Sequence, residues 1–101
     1  MFKTVDVTAH EWFDKVNGNS YFAARVTLDF GMETERSYIL PFQYGYGDHY
    51  RDVAFKLLQE NGEIPQQPPM TSHWRYYDEN NVIARHVKYE NCKKRELLEL
   101  A

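Results

Sequence analysis

The sequence predicts an α+β fold: a small antiparallel sheet of hairpin-linked strands with helices packed on one of its faces. Three observations point there. Residues from Tyr21 to Phe30 alternate apolar and polar with a period of two. Asn17-Gly18, a tight-turn dipeptide, separates that run from an earlier alternating one. Tyr50, Val53, Ala54, Leu57 and Leu58 then fall at the spacing of a helix stripe laid on a sheet. A chain of 101 residues makes one domain, spanning residues 1–101.

The first strand is expected over residues 3–13, where Val5, Val7 and Ala9 alternate with Asp6, Thr8 and His10. The second covers residues 21–30, with Phe22, Ala24, Val26, Leu28 and Phe30 on the covered face. Gly31 to Arg36 is polar and reads as a turn. The third strand runs about residues 37–44, with Tyr38, Leu40, Phe42 and Tyr44 on one face. Pro41 inside it lacks a backbone donor, which places this strand at an edge or interrupts it with a bulge. Asp48 is the expected N-cap of the helix and Asn61-Gly62 its stop. Phe55 lies roughly 130° from the stripe centre at about 100° per residue, either covered by the C-terminal half or free for a partner.

Pro65, Pro68 and Pro69 make residues 63–70 a stiff connector. Residues 72–80 admit two readings: a short helix capped by Ser72, which we favour, or a strand in which Trp74 and Tyr76 alternate. Residues 82–89 form a fourth strand. Asn91 caps a last short helix over residues 93–100. A sheet this small has open edges, where partners or a second copy add on, so a homo-oligomer is compatible with the pattern.

Composition narrows the function classes. A 43% hydrophobic, 16% aromatic chain is too apolar for disorder. Net charge −3 is the wrong sign for a strong phosphate-backbone binder, so nucleic acid is the weaker choice of partner. A single cysteine, Cys92, excludes an internal disulfide and suits a reducing compartment. No cationic start followed by an apolar run marks a signal peptide, and no apolar stretch approaches membrane length. A cytoplasmic location and no membrane partner are therefore expected.

Two segments concentrate the residue types that bind ligands. In the first, Tyr44-Gly45-Tyr46-Gly47-Asp48-His49-Tyr50-Arg51, a strand end meets a helix start. Tyr44 and Tyr46 offer stacking faces, the glycines allow close backbone approach, and Arg51 can meet a phosphate beside His49. The plainer reading is a turn with two special backbone positions, and Asp48 would repel a phosphate there. In the second, His73-Trp74-Arg75-Tyr76-Tyr77, the residues Trp74, Arg75 and Tyr77 have the composition of a binding hot spot. The plainer reading is that Trp74 and Tyr77 pin the two halves together. No HxxxH or HExxH pair, Walker loop or Gly-x-Ser-x-Gly elbow is present. Accordingly the expectation is a binding protein, not an enzyme, with no metal and no cofactor. Lys93-Lys94-Arg95, the sole basic run, reads as a solvated helix face diluted by Glu96 and Glu99.

Three stretches, Trp12–Tyr21, Pro41–Tyr50 and Glu79–Val82, together resemble a group of small accessory proteins encoded by bacteriophages and related mobile elements. The resemblance implies a setting, an infected bacterial cytoplasm, and carries over no functional residues. By analogy with small phage proteins, it implies interference with host defence, by binding a nucleotide-type signal or a host defence protein such as a CRISPR nuclease. The alternative is a nucleic-acid-binding replication accessory.

Overall fold

Residues 1–100 are described by a computed structural model. The first hairpin forms where the alternation demands it. Strands β1 (Thr4–Asp14) and β2 (Asn19–Leu28) pair antiparallel with Val7 opposite Val26. Their turn closes because the Asp14 carboxylate accepts the Val16 and Asn17 backbone N–H groups. Gly18 takes φ 71°, a left-handed value that a side chain would oppose.

Strand β2 ends at Leu28, short of the expected Phe30, because Asp29 turns the chain with φ 52°. Its buried carboxylate accepts N–H bonds from Lys3 (2.6 Å) and Thr4 (3.3 Å) and the Thr34 hydroxyl (2.7 Å). These bonds, the Lys3 N–H first, hold its pKa below the ordinary value. Phe30 consequently leaves the core and is exposed.

Strand β3 (Arg36–Tyr44) is an edge strand with a bulge at the proline. Ala24 faces Leu40 and Phe22 faces Gln43, so β3 places two residues, Pro41 and Phe42, where β2 places one, Ala23. The extra residue reverses the side-chain alternation. Tyr38 and Leu40 face the core, whereas Phe42 and Tyr44 turn to the other side and do not share a face with them, contrary to the strict alternation.

Helix α1 (His49–Glu60) buries Tyr50, Ala54, Phe55 and Leu58 against the sheet. Val53 and Leu57 of the expected stripe are only partly buried. The helix is rotated because α2 (His73–Glu79) packs on its other flank and covers Phe55, whose ring lies 5.7 Å from those of both Tyr76 and Tyr77. Residues 72–80 thus take the helical alternative, and a free surface around Phe55 is ruled out.

Strand β4 (Ile83–Tyr89) corrects the wholly antiparallel picture. The sheet order is β3-β2-β1-β4, and β4 runs parallel to β1 with Val7 opposite His86. Two hairpins make β3 parallel to β1, and a helical crossover from β3 delivers β4 in that same direction. The fold is α+β with a mixed four-stranded sheet. Helices occupy both faces. The short helix α3 (Lys94–Leu98) packs opposite α1 and α2, where the Lys94 ammonium lies 5.5 Å from the Trp12 ring and Leu97 is buried. Trp12, Tyr21 and Phe42 stack on that face and require the cover. No helix among the described residues is long and apolar enough to cross a membrane.

Candidate functional site

The turn from β3 into α1 is shaped first by packing. A Cβ at Gly45 would lie 2.6 Å from Phe22 Cε1, so only glycine lets the chain cross that ring. Gly47 has φ 61°, and its carbonyl accepts a bond from Lys88 Nζ at 3.1 Å, which ties the turn to β4. Asp48 occupies the N-cap position without a side-chain cap bond and instead lies 3.7 Å from Arg51 Nε. Both glycines are thereby accounted for by folding. What the turn presents is side chains: Tyr44 and Tyr46 are exposed and, with Asp48, His49 and Asp52, line a groove of about 400 Å³.

A second hollow, about 270 Å³, lies between α1, α2 and β4. Arg51 comes from the first turn of α1, His73, Trp74 and Tyr77 from α2, and His86 from β4. The His73 and His86 rings are 5.5 Å apart, and Tyr50 lies edge-on to His86 at 6.2 Å. Trp74 stands exposed at the rim.

Three buried polar atoms here, His73 Nδ1, Tyr77 Oη and His86 Nε2, have no hydrogen-bond partner among the described residues. Each such atom carries a desolvation cost of about 1–3 kcal/mol that a partner would remove. Burial first, then the nearby Arg51 and His73, pushes the His86 pKa down to about 4. Burial also lowers His73, against the pull of the Asp52 carboxylate 3.8 Å from its Nε2. Burial raises the Tyr77 hydroxyl. At neutral pH the lining thus offers uncharged donors and acceptors, one guanidinium from Arg51, and the Asp78 carboxylate.

The residues singled out from sequence are divided between these hollows. Arg51, Trp74 and Tyr77 line the second; Tyr44, Tyr46 and His49 line the first. Asp52 joins them, lining the groove while reaching His73. Arg75 lines neither and rests its guanidinium 5.8 Å from the Trp74 ring. His73 and His86 were not among the expected site residues. One signal marks His86: in β4 the apolar Ile83, Val87 and Tyr89 are exposed while His86 takes the core-side parity, opposite Val7.

Another hollow, about 540 Å³, runs along the β3 edge, where Leu40, Pro41, Val53 and Leu57 are bordered by Gln43, His49, Asp52, Lys56 and Glu60. Among the described residues, no group of three His, Cys, Asp or Glu side chains is placed to hold a metal ion. No protein-family model, curated protein or solved structure matches the chain.

Proposed function

We propose that the protein is a non-catalytic binding protein that takes a small nucleotide-like ligand between α1, α2 and β4, and that it serves a phage by interfering with host defence. The observation that carries the ligand reading is the trio of buried, unpartnered polar atoms of His73, Tyr77 and His86 around one hollow. Neutral imidazoles and a phenol suit the mixed donor and acceptor edge of a nucleobase. Trp74 supplies a stacking face at the rim and Arg51 a phosphate contact. One arginine set against Asp48, Asp52 and Asp78 favours low charge: a phosphodiester such as a cyclic nucleotide over a triphosphate. The phage setting rests on the resemblance of residues 12–21, 41–50 and 79–82.

A second reading, capture of a host defence protein, is favoured by the exposed Tyr44 and Tyr46 above Asp48 and Asp52. That groove suits a basic side chain on a partner. Isothermal titration with cyclic mononucleotides and cyclic dinucleotides separates the two. Tyr77→Phe should weaken nucleotide binding about ten-fold, matching one lost hydrogen bond of about 1.4 kcal/mol. A folded Tyr77→Phe protein with unchanged affinity overturns the site. Absence of nucleotide binding, together with a host-protein complex abolished by Tyr46→Ala, moves the function to the groove.

A further inference from the structure

A fourth pocket lies at the β1–β2 turn end of the sheet, and its charged lining residues are all basic. It has a volume of about 320 Å³ and is lined by Lys15, Lys93 and Lys94 around Trp12, Phe13 and Cys92. The fold brings these residues together from distant parts of the chain. Lys15 comes from the hairpin turn, and the Cys92 N–H donates to the Glu11 carbonyl at 2.9 Å, laying residues 92–94 against β1. The Lys94 ammonium is held over aromatic faces, 5.5 Å from Trp12 and 5.9 Å from Phe42.

No carboxylate lines the pocket. Among the described residues, none of the three lysines forms an ion pair. The acids nearby are held by hydrogen bonds outside the pocket, and their charge still reaches its margin, Asp14 toward Lys94 and Glu96 and Glu11 toward Cys92. The Asp14 carboxylate accepts from Val16, Asn17 and the Asn17 amide, and the Glu96 carboxylate accepts the Lys93 N–H at 3.0 Å. Three ammonium groups around one hollow with no carboxylate in its lining attract a multiply charged anion. Lysine is a point-charge phosphate binder, and Phe13, 47% exposed, adds a flat apolar wall beside it.

We propose that this pocket binds a phosphate monoester carried on a flat heteroaromatic group, the chemistry of a nucleoside monophosphate. The terminal phosphate dianion sits among Lys15, Lys93 and Lys94, and the ring lies against Phe13. This site is separate from the α1–α2–β4 hollow and takes a more highly charged ligand, so either can fail alone.

Tryptophan fluorescence provides the test. Trp12 lines the pocket, and the other indole, Trp74, is 62% exposed, so Trp74→Phe leaves Trp12 as a lone reporter in an intact core. AMP, adenosine and inorganic phosphate are titrated into this variant at low and at moderate salt. The expected result is a saturable change in Trp12 emission with AMP that weakens as salt is raised. Adenosine and inorganic phosphate should each bind at least ten-fold more weakly than AMP. Lys15→Ala with Lys93→Ala, confirmed folded by circular dichroism, should weaken AMP at least ten-fold. Tyr77→Phe should leave it unchanged. No saturable change at millimolar AMP, or equal binding by the double lysine variant, overturns the proposal. So does adenosine or inorganic phosphate binding as tightly as AMP.

Discussion

Acidification should destabilise this fold well before its carboxylates titrate, and His86 should be the main cause. Its pKa is about 4 in the folded protein against an ordinary 6.5. Burial is the largest contribution, with Arg51 and His73 adding to it and Asp48 and Asp6 opposing. A histidine depressed on folding stabilises the protein fully above its unfolded pKa. Between pH 6.5 and about 4 the unfolded chain binds a proton that the folded chain refuses. Unfolding free energy therefore falls as pH falls through that window and levels off below it. The gap is worth at most about 3 kcal/mol. Partial exposure of the ring to solvent reduces this to about 1–2 kcal/mol.

Asp29 and Glu63 have lowered pKa values, so their contributions are lost only as pH falls below the ordinary carboxylate range toward their folded values. The interval from pH 6.5 to 5 thus isolates the histidines. Urea denaturation at half-unit steps, read by circular dichroism, gives the slope. His86→Gln should flatten most of it, leaving the smaller contribution of His73, which is lowered in the same direction. Parallel pH profiles for the wild type and His86→Gln would refute the reasoning.

Leu58, on the sheet-facing side of α1, is fully buried, so Leu58→Ala should cost about 2–5 kcal/mol in chemical denaturation, whereas Leu57→Ala, at a half-buried position, should cost less. Gly45→Ala forces a methyl into the Phe22 ring and should cost about 1–3 kcal/mol, seen as a lowered Tm. Glu63 accepts two bonds from Arg36 and one from Tyr38, all at 2.6 Å, and Glu63→Gln should cost about 1–3 kcal/mol, with faster amide exchange at Ile64.

Local pattern made much of this fold legible. The first hairpin, the edge placement and bulge of β3, and α1 with its stop all follow from alternation, turn chemistry and proline geometry. What local pattern could not supply is direction and side. Nothing within residues 82–89 says that they pair parallel to β1; the crossover decides it. The reversal of Phe42 and Tyr44 depends on where the bulge absorbs its extra residue. Helix α3 lies opposite α1 because Trp12 and Tyr21 of the first hairpin need cover on that face, and the bulge adds Phe42 to them. The tyrosine–glycine turn and the His73–Tyr77 segment stood out by composition. Their division between two hollows did not, because it depends on the rotation of α1 and on His86 arriving from a third element.

The parallel pairing of β4 with β1 also has a kinetic side. The Asp6–Arg85 pair, with bonds of 2.6 and 2.9 Å, links residues 79 positions apart. Contacts of that range close slowly compared with the neighbouring hairpins. During synthesis the three-stranded meander can assemble first, leaving the β1 edge open until residues 83–89 emerge and dock. His86 reaches the hollow only in that last step. A chain stalled before it lacks one wall of the hollow, so the ligand binding proposed above would report completed assembly in a way that helix or sheet content does not.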